Sequence, residues 1–132
     1  MKPYLVLGCD RSASRALADL CRTGYVLPDE VEYRTLPCSG SLDVLYILRA
    51  FEQGFERVLV LSCNDDACRS LDGSRRAAQR SARARTLLSE VGVNPRCVSF
   101  RQISPTMAAD LCIWLDEFVQ PLPAEAEPEK AE

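Results

Sequence analysis

The feature that most constrains the fold is a run of apolar residues at positions 58–61, which Ser62 and Cys63 follow directly. A short run without polar residues is typical of a parallel β-strand that is covered on both faces. The segment after it contains a second cysteine, Cys68, so the two thiols are five positions apart. We therefore expect a buried strand that leads into a loop with two cysteines.

A pattern of one strand followed by one helix occurs four times along the chain. Apolar and alternating segments predict strands at residues 4–7, 31–36, 57–62 and 96–101. Helices are expected to begin at the capping residues Ser12, Ser41 and Ser104, and after Gly73. This order predicts an α/β fold with a four-stranded parallel sheet, helices on both faces of the sheet and a flavodoxin-like architecture.

Length and composition predict one soluble domain with a short tail. The chain has 132 residues, of which 47% are hydrophobic. No apolar run approaches the roughly 20 residues that cross a membrane, and the first residues do not resemble a signal peptide, so we expect a cytoplasmic protein. The last nine residues hold four glutamates and one lysine, which accounts for the net charge of −3. We predict a domain at residues 1–120 and an acidic C-terminal tail at residues 121–132.

Cysteine and histidine usage narrows the chemistry. The chain has seven cysteines and no histidine. An odd number of cysteines argues against a closed set of disulfides, and a reducing compartment keeps thiols free. The lack of histidine excludes zinc sites of mixed Cys and His ligands, and it excludes Ser-His and Cys-His catalytic pairs. Thiolates, carboxylates, arginines or a bound cofactor must carry any chemistry.

Three cysteines, Cys9, Cys38 and Cys63, each follow a predicted strand at the point where it ends. The carboxyl ends of parallel strands meet at one edge of a sheet, where open α/β sheets bind ligands. Neighbouring strands are about 4.8 Å apart, so these thiols can converge, and Cys68 can supply a fourth ligand from the same loop as Cys63. Four thiolates suit either a tetrahedral zinc ion or an iron–sulfur cluster.

The other three cysteines are expected to be structural. Cys21 and Cys112 fall on apolar faces of predicted helices, and Cys97 lies inside a predicted strand. A buried free cysteine behaves as a small hydrophobic residue.

In its ordered motifs, the sequence resembles the delta subunit of methyl-viologen-reducing hydrogenase, a family also called the hydrogenase iron–sulfur subunit. The resemblance covers residues 7–119. The matching landmarks are Cys38-Ser39-Gly40, residues 48–54, residues 58–63 with Cys68, the arginine-rich helix with Leu87-Leu88, residues 91–96, and Ile103-Ser104.

This resemblance implies a [2Fe–2S] cluster and electron transfer. By position, Cys9, Cys38, Cys63 and Cys68 would be the metal ligands. Members of this family pass electrons from a hydrogenase-type or dehydrogenase-type partner to the flavin subunit of a heterodisulfide-reductase-like complex in anaerobic organisms. The chain would then be a non-catalytic subunit of an oxidoreductase complex. We expect no nucleic-acid partner and no membrane-spanning segment.

Two alternatives remain open. Cys9 and Arg15 fit the C-x5-R pattern of phosphatase loops, in which a thiolate attacks phosphorus and an arginine binds its oxygens. That loop lacks the glycines that help a backbone curl around an anion. The four cysteines could instead hold a structural zinc ion in an interaction module.

The predicted third helix has many arginines on its outer side: Arg75, Arg76, Arg80, Arg83 and Arg85. Nucleic-acid binding is disfavoured because interleaved aromatic residues are missing and the whole chain is acidic. Two interpretations remain, a solvated face and a docking surface for an acidic partner subunit.

Overall fold

The computed structural model describes residues 3–9, 12–36, 43–62, 73–104 and 106–120, which form an alternating series of strands and helices. The first half contains strand β1 (Tyr4–Cys9), helix α1 (Ala13–Arg22), strand β2 (Val31–Leu36) and helix α2 (Val44–Glu52). The second half contains β3 (Arg57–Ser62), α3 (Gly73–Glu90), a 3-10 turn (Pro95–Cys97), β4 (Val98–Gln102) and α4 (Ala108–Phe118). The predicted order of elements is confirmed, whereas the predicted tail, residues 121–132, lies outside the described residues.

The four strands form one parallel sheet in the order β2-β1-β3-β4. The chain first moves outward from β1 to β2 and then crosses back to β3 on the other side of β1. Strand order therefore reverses between β1 and β3, which is the position where flavodoxin-like sheets bind their ligands. The predicted α/β fold is confirmed.

Each face of the sheet is covered by two helices. Leu5 and Leu7 of β1 lie in one core layer with residues of α2 and α3, whereas Val6 lies in a second layer with residues of α1 and α4. Successive side chains of a strand point to opposite faces, so β1 and β3 must be apolar at almost every position. Within the described ranges, no helix combines the length and the apolarity that crossing a membrane requires.

Arg57 connects the amino edge of the sheet to the end of α4. Its guanidinium lies 4.8 Å from the centre of the Phe118 ring and 5.7 Å from that of Tyr4, and it donates a hydrogen bond of 2.6 Å to the carbonyl oxygen of Gln120. Partial burial lowers the pKa of this guanidinium. The contacts hold the last described residues of the chain against the start of β3.

The predicted start of the second helix is wrong. We expected Ser41 as its cap, but α2 begins at Val44 and Asp43 is the capping residue. The Asp43 carboxylate accepts a hydrogen bond of 2.9 Å from the backbone N–H of Leu45. Asp and Ser are about equally good caps, so the two candidates differed only in position.

Two predicted boundaries near the C-terminus are also wrong. The fourth strand begins at Val98 instead of residue 96, because the preceding residues form a 3-10 turn in which Asn94 accepts a hydrogen bond of 2.9 Å from the N–H of Arg96. The last helix begins at Ala108 instead of Ser104. Ser104 starts a separate turn, since its carbonyl oxygen accepts a hydrogen bond of 3.1 Å from the N–H of Met107.

The burial of β1 allows a prediction about the stability of the protein. Leu5 is 0% exposed in the middle of β1, and Leu5→Ala should lower the free energy of unfolding by about 2–5 kcal/mol in urea denaturation. Leu45 on α2 is 54% exposed, so Leu45→Ala should change it by no more than about 0.5 kcal/mol. Equal losses in the two variants would contradict the described core.

Candidate functional site

The carboxyl edge of the sheet brings three strand ends together. Cys9, the last residue of β1, pairs with Leu36, the last residue of β2. On the other side of β1, Gly8 pairs with Leu61, which is one residue before the end of β3. Leu36, Cys9 and Ser62 are all buried, so the chain leaves three neighbouring strands from one shielded place.

Cys9 is the predicted ligand that the structure places. Its side chain is 4% exposed and its thiol is free. The other three predicted ligands, Cys38, Cys63 and Cys68, lie outside the described residues. In the part of the chain that is described, no group of three or more cysteine or acidic side chains is arranged to hold a metal ion. Convergence of the four thiols stays a prediction.

The sequence limits how far two of these cysteines can lie from the ends of the described strands. Cys63 follows Ser62 directly, and Cys38 is two positions after Leu36. Consecutive Cα atoms are about 3.8 Å apart, so the covalent chain keeps both residues near the ends of strands that flank Cys9. The topology is therefore compatible with Cys38 and Cys63 as ligands beside Cys9, and it does not restrict Cys68 in the same way.

Ser12 provides an independent observation at the same edge. It occupies the N-cap position of α1, as predicted, but its side chain makes no capping hydrogen bond. The residue is 2% exposed, and its hydroxyl has no hydrogen-bond partner among the described residues. A buried hydroxyl without a partner costs about 1–3 kcal/mol, so such a group calls for an explanation. A bound group with acceptor atoms would provide the missing partner.

The residues at this edge fit an iron–sulfur group in two respects. A cluster held by cysteine thiolates requires free thiols, and the free thiol of Cys9 is buried away from water. A nearby hydroxyl without a partner can donate a hydrogen bond to a cluster or cysteine sulfur. Cys9 provides the buried free thiol, and Ser12 provides the hydroxyl without a partner among the described residues.

A group of hydroxyls beside the edge was missed by the sequence analysis. Gly8 leaves space for the Tyr33 side chain, whose hydroxyl and ring would clash with any Cβ atom at position 8. The Tyr33 hydroxyl is 2.9 Å from the Ser14 hydroxyl, which in turn is 3.3 Å from that of Thr35. Alternating positions 33 and 35 on β2 could have indicated that these side chains share a face. The contact with Gly8 could not be foreseen, because it depends on strand order.

The remaining cysteines are less buried than predicted. Cys21 is exposed, so its expected place in the core is wrong, and Cys97 and Cys112 are half-buried. Cys97 lies in the 3-10 turn instead of a strand. Burial raises the pKa of the Cys97 thiol, while Arg57 acts in the opposite direction and Glu56 raises it further. None of these three thiols is at the carboxyl edge.

Comparison with known proteins gives consistent results. Residues 4–124 match the family model described as methyl-viologen-reducing hydrogenase, delta subunit. The iron–sulfur subunit of the F420-non-reducing hydrogenase vhu of Methanocaldococcus jannaschii is 33% identical over 94 residues, which are 70% of each chain. The protein of the same name from Methanopyrus kandleri is 30% identical over 105 residues, or 79% of this chain and 80% of the relative.

A larger protein contains a similar segment. It is one of the subunits of the ferredoxin/F420H2-dependent CoB-CoM heterodisulfide reductase of Methanosarcina acetivorans, and it is 26% identical over 121 residues. The match covers 91% of this chain but 15% of that protein. Together with the family model, which spans nearly all of the described residues, these matches establish the relationship. The chain belongs to the family of the methyl-viologen-reducing hydrogenase delta subunit.

Proposed function

We propose that this chain binds an iron–sulfur cluster at the carboxyl edge of its sheet and passes electrons between redox subunits of one complex. The observation that carries the proposal is the buried free thiol of Cys9, at an edge where three neighbouring strands end. Relatives at about 30% identity are named hydrogenase iron–sulfur subunits, which supports this function. The chain would be a non-catalytic member of an oxidoreductase complex.

The proposed ligands are Cys9, Cys38, Cys63 and Cys68, and the proposed group is a [2Fe–2S] cluster. Such a cluster supplies one-electron redox chemistry when bound. The protein would contribute three thiolates from residues that follow strands and a fourth from the loop after β3, and the buried residues Leu36 and Ser62 would help to exclude water. Ser12 would be able to donate a hydrogen bond to a sulfur atom of the cluster site, which would stabilise the more negative reduced form.

The proposed partners are a flavin subunit of the heterodisulfide reductase type and a subunit of the hydrogenase or dehydrogenase type. Support for the first partner comes from the Methanosarcina protein, in which a segment similar to this chain is part of the reductase polypeptide itself. Covalent connection in a relative is consistent with contact between separate chains here. Free thiols and such partners suit the reducing cytoplasm of an anaerobic cell.

Anaerobic purification with metal analysis tests the proposal. We expect brown protein with about two iron and two sulfide per chain. Colourless protein with one zinc ion per chain would reject the proposal and indicate an interaction module with a structural zinc ion. Metal-free protein that cannot be reconstituted with iron and sulfide would also reject it, and the Cys9 loop would then be assayed for phosphatase activity.

The ligand assignment predicts opposite results for two cysteine variants. Cys63→Ser should lose the cluster or bind it weakly, because one of four thiolates is missing. Cys112→Ser should keep a full complement of iron, since this half-buried thiol lies on α4, away from the edge. The two variants are compared by their iron and sulfide content and by their visible absorption spectra. Equal cluster content in the two proteins would refute the assignment.

Ser12→Ala should lower the midpoint potential of the bound cluster, because the reduced form loses a hydrogen bond to sulfur. In iron-free protein the same change should leave the free energy of unfolding unchanged or raise it by up to about 1 kcal/mol, since the hydroxyl has no partner there. Redox titration and urea denaturation measure the two effects.

Ser81 is a matched control for Ser12. It is a buried serine, 1% exposed, whose hydroxyl likewise has no hydrogen-bond partner in the described part of the chain, but it lies in the middle of α3, at a distance from the strand ends. Ser81→Ala should affect unfolding in the same direction as Ser12→Ala and leave the midpoint potential unchanged. An unchanged potential in Ser12→Ala would remove Ser12 from the proposed site.

A further inference from the structure

Helix α3 has a charge opposite to that of the rest of the chain. Its eighteen residues contain five arginines and one glutamate, and the glutamate is the last residue, Glu90. The whole chain has a formal charge of −3, so the residues outside α3 carry −7. Helix α3 therefore has a net positive charge in a chain that is otherwise net negative.

Three of these arginines form a stripe along the helix. Arg76, Arg80 and Arg83 are spaced four and three positions apart, which places them on one side of α3. Ala77, Ala84 and Leu88 lie on the buried side. Arg76 and Arg83 are exposed, and within the described part of the chain neither takes part in an ion pair or hydrogen bond. We call Arg76, Arg80 and Arg83 the basic stripe.

The charge pattern of α3 departs from the usual preferences of a helix. Like charges four positions apart repel each other, and Arg76 and Arg80 have this spacing, although Arg80 also interacts with another group in the chain. Arg75 and Arg76 lie near the positive end of the helix dipole, and the first turn contains no acidic residue. Natural sequences depart from such local rules mainly where function requires it. A surface selected only for solubility would contain both signs of charge.

We propose that the basic stripe is the docking surface for an acidic patch on a redox partner subunit. The proposal rests on the proposed function and specifies where the partner binds. Helix α3 follows β3 and leads to β4, which is parallel to β3, so the helix begins at the carboxyl edge of the sheet. Docking along its first turns would place the partner beside the edge where Cys9 lies.

An acidic protein surface fits this stripe better than a nucleic acid does. Helix α3 contains no aromatic residue on which a base could stack. A nucleic acid is a long polyanion, and the chain outside α3 has a net negative charge, which disfavours its binding. An acidic patch on a protein can match the size of the stripe. Charge complementarity of this kind raises the association rate of two proteins.

Charge reversal tests the stripe in the full chain with its cluster bound. The stripe variant is Arg76→Glu with Arg83→Glu, and the control is Arg22→Glu with Arg49→Glu. Both control positions are exposed and outside α3, and the net charge changes equally. The binding probe is the purified flavin subunit of the heterodisulfide reductase type from the same cells. Iron content and thermal unfolding are measured for every protein.

At low ionic strength we expect the stripe variant to associate at least about tenfold more slowly than the unchanged chain, and the control to stay within about twofold. The difference should shrink at high ionic strength, because salt screens exposed charges. A milder variant, Arg76→Gln with Arg83→Gln, should give an intermediate rate. If the charge-reversed protein does not fold, the association rate is measured with this glutamine variant instead.

Other outcomes would overturn the proposal. Equal association rates of the stripe variant and the unchanged chain, with the cluster present in both, would reject the docking surface and leave the proposed function intact. No binding of the probe by the cluster-loaded chain would reject it as well. Nucleic acid that co-purifies with the unchanged chain and is lost in the stripe variant would assign the stripe to nucleic acid. An unchanged chain that cannot take up iron would instead refute the proposed function.

Discussion

The parallel pairing of β2, β1 and β3 is the constraint on which the rest of this structure depends. Parallel strands in register must end at the same edge, and here Leu36 and Cys9 are direct partners. A parallel sheet also requires crossover connections, which place helices on its faces and bury the central strands. The burial of Cys9 is therefore a result of topology, and no residue needs to be recruited from elsewhere to shield its thiol.

The helices that connect one strand to the next also determine at which edge of the sheet a polar group lies. Each helix after a strand begins at the carboxyl edge and ends at the amino edge. Ser12 and the start of α3 are consequently at the edge that holds Cys9, whereas Arg57 and the end of α4 are at the opposite edge. At the carboxyl edge the Ser12 hydroxyl has no hydrogen-bond partner among the described residues, whereas the amino edge is stabilised by a guanidinium that contacts two aromatic rings.

Much of the fold could be predicted from the sequence, because β1 and β3 are apolar runs, β2 alternates and the helices have apolar faces. The errors occurred where local chemistry offered two solutions of similar energy. Asp43 instead of Ser41 caps α2, and Asn94 organises a turn that delays β4. Cys21 is on a helix side that the core does not reach, although its neighbour Leu20 is buried. Its exposure depends on how α1 packs against α4, and an apolar pattern does not specify that angle.

Chain order, finally, relates the candidate site to the basic stripe. The two cysteines at positions 63 and 68 precede α3 in the sequence, and α3 starts at the edge where β3 ends. If the proposed cluster is bound near Cys9, a positively charged helix in this position would raise the electrostatic potential there and favour the reduced form of the cluster. The same charge would attract the proposed acidic partner to the edge where an electron leaves. Docking of such a partner would offset the charge of the arginines, which would lower the potential of the cluster and favour electron transfer out of this chain. On these proposals, one helix would contribute to both association and the direction of electron flow.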